Sequence, residues 1–343
     1  MQALPDSPPD AEIVAGSVER FPRARHVEEV RRLSQIRPWR SVGLITLQWG
    51  VVVAAMTCAL YFPYWWVYLI AGVVIATRQQ AIGVLVHDGA HWLLFKNHTV
   101  NDIVCDLFLG FPSNLSTTLY RSTHFQHHRY VNTEEDCDLA AQRDDHEWFD
   151  WPKTRSELWW TMLRSITGLN AYRAWPLVKQ WAPWMHMTDP ITPAFPLRAR
   201  VLYVANIVAV YTAIALGFRY APGNTLVVVL LYIIPTMTLL NLFNRLRATS
   251  EHVGLADEQD ELGATRSVAP SWWERLTVCP VGVNYHLEHH LFPSVPGPNL
   301  ARLHRHLMQD DDYRRRAHVT RGYAGAVNEL MASPEPTSRG LRA

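Results

Sequence analysis

Four stretches of the chain are long and apolar, and the charged residues fall mostly between them. Gly43 to Phe62, "GLITLQWGVVVAAMTCALYF", is twenty residues without a charge, enough to cross ~30 Å of hydrocarbon at ~1.5 Å per residue. After Pro63, Tyr64 to Val86 is long enough to return, although Arg78, Gln79 and Gln80 interrupt its apolar run. Val201 to Phe218 and Thr225 to Phe243 are two further uncharged runs, separated only by "RYAPGN". The pattern predicts an all-α integral membrane protein, a single domain over residues 1–343, with membrane helices at about 43–62, 64–86, 201–218 and 225–243 paired as two hairpins. The ends, about 1–12 and 333–343, read as disordered.

Charge sets the orientation. Seven arginines lie between Arg20 and Arg40, the turn from Phe62 to Tyr64 has none, and the turn between the last two runs has only Arg219. By the positive-inside rule both termini are expected in the cytoplasm, and with them the segment Trp92 to Arg200 and the chain after Asn244, forming a helical cap. Half of the fourteen tryptophans (Trp148, Trp151, Trp159, Trp160, Trp175, Trp181, Trp184) fall within this cap. Its stretch "ELWWTMLRSITGL" is amphipathic and suits a helix lying on the cytoplasmic leaflet, where an indole buries its ring and still satisfies its N–H. Ordinary core helices are the alternative.

The averages, 48% hydrophobic and 18% charged, hide this segregation. A formal net charge of +1 gives no reason to expect a nucleic-acid partner. Cys58, Cys105, Cys137 and Cys279 are far apart and form no CxxC pair, which suggests neither a zinc knuckle nor a disulfide framework. The N-terminal residues carry no basic segment leading into an apolar one, so no cleaved signal peptide is expected.

Eight of the sixteen histidines occur in three clusters. "HDGAH" places His87 and His91 at i and i+4; "HFQHH" places His124, His127 and His128 at i, i+3 and i+4; "HLEHH" repeats that spacing with His286, His289 and His290. On a helix each cluster shares one face. The topology puts all three on the cytoplasmic side, together with His252 in "RATSEHVG". Nine neutral imidazoles exceed the needs of one ion, so two metal ions are implied. Imidazole suits zinc, copper, iron and nickel alike; iron is preferred, because redox chemistry beside a membrane makes better use of an all-nitrogen pair than hydrolysis does. His26, His98, His146, His186, His304, His306 and His318 read as surface or satisfied core residues.

On these boxes, of the forms HxxxH, HxxHH and HxxHH, and on the phrase "NYHLEHHLFPSVP", the chain resembles the membrane-bound fatty acid desaturase and hydroxylase superfamily, acyl-lipid desaturases above all. The resemblance runs from about Val51 to Leu307. It implies a non-haem di-iron centre that uses O₂ and two electrons to remove hydrogen from an unactivated C–H bond. It implies His87, His91, His124, His127, His128, His286, His289 and His290 as iron ligands, with His252 in the place of the extra histidine. Glu251, next to His252, has three readings: a direct ligand, a group that orients a histidine, or a surface pair. Asp88 and Glu288 inside the boxes are candidates to orient ligating imidazoles, with a solvated helix residue as the alternative for either, and Asn284 is a candidate donor beside them.

An acyl or membrane-lipid substrate has to bring one methylene to the metals through a dry, narrow tunnel. Arg78, Gln79 and Gln80 line it, buttress the site, or, in the alternative, are paired away from the substrate with Arg78 snorkelling, and the same readings apply to Thr236, Thr238 and Asn241. No "HPGG" element and no flavin-type glycine fingerprint is present, so electrons are expected from a separate carrier of ferredoxin or cytochrome b5 type. Arg121, Arg129 and Arg143 are candidates for its docking face, with scattered surface arginines as the ordinary alternative. The boxes do not separate desaturation from hydroxylation of a lipid, terpenoid or carotenoid; the "NYHxEHHLFP" phrase favours desaturation. A histidine-rich metal transporter would place its ligands within the bilayer, whereas these clusters lie at helix ends.

Overall fold

The computed structural model describes residues 20–133, 135–137, 145–188, 195–255 and 260–332. The segments expected to be disordered and Arg143 lie outside the described residues. After a short helix α1 (Val27–Leu33), four helices among the described residues are long and apolar enough to cross a membrane. They are α2 (Pro38–Tyr61), α3 (Trp65–Ala90), α8 (Leu197–Tyr220) and a continuous run Pro222–His252, made of α9 (Pro222–Pro235), a wider π-type turn Thr236–Leu240 and α10 (Asn241–His252). Pro38 and Pro222 stand at the first helical positions of α2 and α9, where a missing N–H costs nothing.

The helices overrun the apolar stretches at their polar ends. α3 continues from Val86 to Ala90 and so carries His87 and Asp88, and the last run continues from Phe243 to His252. A helix propagates by adding one hydrogen bond per residue, whatever the side chain, whereas an apolar run stops at the first charge. Pro235 explains the π-type turn, because proline removes one backbone donor from the middle of the run. The carbonyl of Tyr232 there accepts from Thr236 Oγ1 at 2.9 Å and from Gln79 Nε2 at 2.9 Å.

α3 is the central helix and α8 the peripheral one: 61% of the apolar window is buried in the first and 6% in the second. α2 and α9 both pack on α3, through Val52 and Ala59 of α2, Val67, Ala71 and Ile75 of α3, and Leu231 of α9. Lipid tails are as apolar as these side chains, so close packing at small residues such as Ala59 and Ala71 drives the association. The polar residues of α3 are bonded to protein. Arg78 donates to Gln48 Oε1 and to the Leu276 carbonyl, both at 3.1 Å, and Gln80 donates to the Val278 carbonyl at 3.0 Å. They fasten the segment that leads into the third histidine cluster. Thr238 bonds back to the Ile234 carbonyl, and Asn241 donates to Asn170 Oδ1 at 3.0 Å.

The shorter helices that matter for the site and its supports are α4 (His98–Cys105), α5 (Thr117–Tyr130), α6 (Arg155–Thr167), α7 (Trp175–Trp181), α11 (His286–Leu291), α12 (Gly297–Leu307) and α13 (Gly322–Met331). α6 opens on a capping box between Thr154 and Glu157 and ends at Gly168, whose φ of +76° is the left-handed conformation glycine accepts. The tryptophans divide between both readings. Trp148 and Trp151 are core, with indole N–H groups bonded to Ser165 Oγ and the Trp148 carbonyl, whereas Trp159 and Trp160 are 73% and 63% exposed on α6.

The all-α expectation needs one correction. Strands β1 (Ser267–Ala269) and β2 (Val319–Arg321) pair in parallel with Ser267 opposite Val319. Three residues give no alternation for a sequence pattern to show.

Close backbone approach locks the start of α12 to the end of α3. Gly297 N–H donates to Asp88 Oδ2 at 3.1 Å, and a Cβ on Gly297 would stand 2.6 Å from the Val281 carbonyl oxygen and 3.2 Å from Asp88 Oδ2. Gly297→Ala is therefore expected to cost about 1–3 kcal/mol, read as a lower thermal midpoint in detergent. Gly50→Ala, at a position with nothing within 4 Å, should leave that midpoint near wild type.

Candidate metal centre

Nine histidines from four elements converge at the end of α3. One ring nitrogen from each of His87, His91, His124, His128 and His289 lies within 4.8 Å of the others, and the same holds for His127, His252, His286 and His290. These are the nine positions read from the sequence. The grouping cuts across the clusters: His124 and His128 join one group and His127 the other, while His286 and His290 join one and His289 the other. At ~100° per residue, i and i+4 differ by ~40° around a helix, whereas i+3 lies ~60° to the other side. α5 and α11 thus each stand between the two groups and serve both.

The nitrogens face one another. His124 Nε2 is 2.9 Å from His91 Nε2 and 3.1 Å from His128 Nε2, and His128 Nε2 is 2.9 Å from His289 Nε2. In the second group His286 Nε2 is 2.8 Å from His252 Nε2 and 3.1 Å from His290 Nε2. Both ring nitrogens of His87 are buried without a hydrogen-bond partner, a costly state for polar atoms. Burial first, and neighbouring imidazoles second, hold His91, His124, His128, His286, His289 and His290 well below the usual imidazole pKa. Neutral rings with converging lone pairs are the donor set of a metal ion, so the residues present fit a pair of metals.

Neighbouring elements hold the rings in place. Arg121 on α5 donates to the Ala90 and Gly89 carbonyls at 2.6 and 3.1 Å, to Asp102 at 2.6 Å, and lies 4.0 Å over the Trp92 ring. A cation on those last carbonyls of α3 is favourable, and it ties α5 to α3 just before His124. Arg121 is therefore buried structure and not part of a docking face; Arg129 is exposed. Asp136, which the sequence reading passed over, lies 2.9 and 3.0 Å from His127 Nδ1 and accepts the Asn132 N–H at 3.2 Å. With Nδ1–H donated to that carboxylate, the lone pair of His127 lies on Nε2, the nitrogen turned away from Asp136.

The other carboxylates divide. Asp88 Oδ1 is 3.7 Å from His87 Nδ1, beside the ring but beyond hydrogen-bond reach. Glu288 faces away from the imidazoles, because i+2 lies on the opposite side of a helix from i: fully buried, it accepts the Tyr313 O–H at 2.7 Å and is bonded to His304 Nδ1 and Ser267 Oγ. It pins α11 from behind. Asn284 likewise turns to the sheet, donating to the Val268 carbonyl at 2.8 Å while its own carbonyl accepts the Val268 N–H at 2.9 Å. Glu251 is 4% exposed, too buried for a surface pair; it accepts from Arg247 at 3.0 Å and brings Oε2 to 3.7 Å from His286 Nε2. A cavity with room for about one water molecule touches His87, His286 and His289, and thus both groups.

Membrane-length helices with paired histidine groups at one end define a histidine-box membrane protein. The chain belongs to the fatty acid desaturase family, whose profile matches residues 63–322, and it is accordingly an oxidoreductase. It is 28% identical over 290 residues to the dihydrorhizobitoxine desaturase of Bradyrhizobium elkanii, covering 82% of this chain and 80% of that protein. It is 26% identical over 300 residues to the chloroplastic omega-6 fatty acid desaturase of Brassica napus, covering 82% of this chain and 62% of that protein. With the acyl-lipid (8-3)-desaturase of Rebecca salina the identity is 23% over 292 residues, 78% of this chain and 64% of that protein. The chain thus spans a little under two thirds of the length of these last two relatives.

Two outcomes are expected. Asp136→Asn should weaken metal binding by about 10–100-fold, measured by competition with a chelator. The unfolded chain takes up protons on these six imidazoles as pH falls through ~6.5, whereas the folded groups resist until well below that value. The metal-free protein should therefore hold its stability above about pH 6.5 and lose it progressively below, which thermal melts in detergent across that range would show.

Proposed function

We propose that this chain is an O₂-dependent di-iron desaturase that introduces a double bond into the acyl chain of a fatty acid or membrane lipid. The observation that carries the reading is the pair of buried imidazole groups, five and four strong, at one end of an apolar helix bundle in a chain of the desaturase family. His87, His91, His124, His128 and His289 would hold one iron, and His127, His252, His286 and His290 the other. Bound there, the pair would supply the oxidising power that removes hydrogen from an unactivated C–H bond, with O₂ reduced to water.

The protein's own contribution is placement. Arg121 fixes α5 against the end of α3 and, through Asp102, against α4, Asp136 fixes the tautomer of His127, and Glu288 fixes α11 from its far side. Burial keeps the imidazoles neutral and the site dry, which protects a reactive centre from side reactions. The water-sized cavity touching both groups suits O₂ as co-substrate. The arginine-rich stretch before α2 supports two membrane hairpins with both termini and the centre in the cytoplasm. There an external carrier of ferredoxin or cytochrome b5 type would deliver electrons.

A centre at the end of membrane helices favours a substrate that partitions into the bilayer. The relatives from Brassica napus and Rebecca salina are named for fatty acid or acyl-lipid desaturation, which supports the acyl class. The Bradyrhizobium relative is named for dihydrorhizobitoxine.

Mass spectrometry of lipids from cells with and without the gene tests the reading. The expected product has lost two hydrogens, and His128→Ala should reduce it to background while the protein still reaches the membrane. A product that has gained one oxygen would reassign the enzyme as a hydroxylase.

A further inference from the structure

We propose that the Glu251 carboxylate is the fifth donor of the four-imidazole group, so that the two metal sites are chemically unlike: five imidazoles at one, four imidazoles and a carboxylate at the other. The inference rests on the reading above that both groups hold metal, and it concerns what one of them is made of.

The side of the ring that Glu251 approaches decides its role. A carboxylate that only orients a ligating imidazole sits on the nitrogen turned away from the metal. Asp136 does so, on Nδ1 of His127. Glu251 is placed the other way round: its Oε2 approaches Nε2 of His286, the same nitrogen that faces His252 at 2.8 Å and His290 at 3.1 Å. The outward nitrogen of that ring, His286 Nδ1, is buried with no hydrogen-bond partner. Glu251 is therefore on the ligand side of the group.

The separation fits as well. Two donors that share one ion through bonds of ~2.1 Å lie ~3.0 Å apart at right angles and ~4.2 Å apart when opposite. The 3.7 Å between Glu251 Oε2 and His286 Nε2 falls inside that interval, and the carboxylate would swing inward on binding to come within the same reach of the other three nitrogens, whose 4.8 Å grouping does not include it. A hydrogen-bonded pair would be closer, at ~2.7–3.2 Å.

The chain holds the carboxylate there deliberately. Glu251 is the residue before His252 at the end of α10, its Oε1 accepts from Arg247 one turn earlier at 3.0 Å, and its backbone carbonyl accepts the Arg266 N–H at 2.9 Å. The residue is 4% exposed. A buried anion needs a cation, and a metal in the second group would be the stronger of the two charges it meets. The carboxylate also brings the smaller group from four donors to five, equal in number to the other.

The test uses purified full-length protein in detergent, loaded with ⁵⁷Fe(II). Wild type should bind about two irons per chain and give two Mössbauer doublets of equal area with different splittings. Glu251→Gln, which has almost the same shape but is neutral, should shift one doublet only and weaken that site by about tenfold or more. Glu251→Asp, which keeps the charge, should restore part of the affinity. Arg247→Ala should lower thermal stability and leave two distinct doublets. Wild-type affinity and both doublets unchanged in Glu251→Gln would overturn the proposal, leaving the carboxylate to protein partners such as Arg247. Failure of wild type to bind iron would instead overturn the reading of the centre itself, and the two failures are told apart by the unmutated protein. Should Glu251→Gln not fold, identical doublets in wild type would still count against unlike sites.

Discussion

Imidazole rings packed nitrogen to nitrogen in a dry pocket oppose one another unless something positive lies between them. In a neutral ring one nitrogen carries the N–H and the other the lone pair, so His124 Nε2, which meets both His91 and His128 within 3.1 Å, is a donor or an acceptor and not both, and has one hydrogen or one lone pair to share between two neighbours. His87 has neither nitrogen bonded. Protonating the rings offers no escape, because burial disfavours the charged form. The arrangement is sound only around cations, and the rest of the fold can be understood as what is needed to keep such rings together.

That need explains where the polar residues of the membrane helices go. Arg78, Gln79 and Gln80 are costly at the depth they occupy, and each of them spends its donors on another segment of the chain. Two of the three bind carbonyls between Leu276 and Val278, a few residues before α11. They transmit the position of the central helix to the third histidine cluster. Glu288 does the same from the opposite side, through Tyr313, His304 and Ser267. The buttressing reading of the α3 residues is the one their hydrogen bonds favour.

The sequence made the four long helices and the nine histidines legible for one reason: both are periodic signals strong enough to survive without tertiary information. Apolar length marks the helices, and the i, i+3, i+4 spacing marks the clusters. What it hid was set by contacts between residues far apart in the chain or by segments too short to have a period. Asp136 lies eight residues past His128 in a turn and shows no spacing that ties it to His127. Arg121 looked like an exposed charge until its partners at Gly89, Ala90 and Asp102 were in place. Glu288 sits among the histidines in sequence but points elsewhere, because neighbours on a helix face different directions, and Asn284, which precedes α11, is turned by its bonds to Val268. The pairing of β1 with β2 joins segments some fifty residues apart through three residues each.

The division of each HxxHH cluster between two groups has a mechanical consequence. If each cluster served one ion, the two sites could shift independently, and the distance between them would be a property of the whole bundle. Here α5 contributes His124 and His128 to one group and His127 to the other, and α11 contributes His289 to one and His286 and His290 to the other. The spacing between the groups is therefore fixed within single turns of two short helices, where it is as rigid as helix geometry itself. α3 supplies only the first group and α10 only the second, so motion of the long helices would alter the outer ligands of each site before it altered the separation of the pair. Differences between the two sites then have to come from those outer contributors, and Glu251, carried by α10 beside His252, stands at that position.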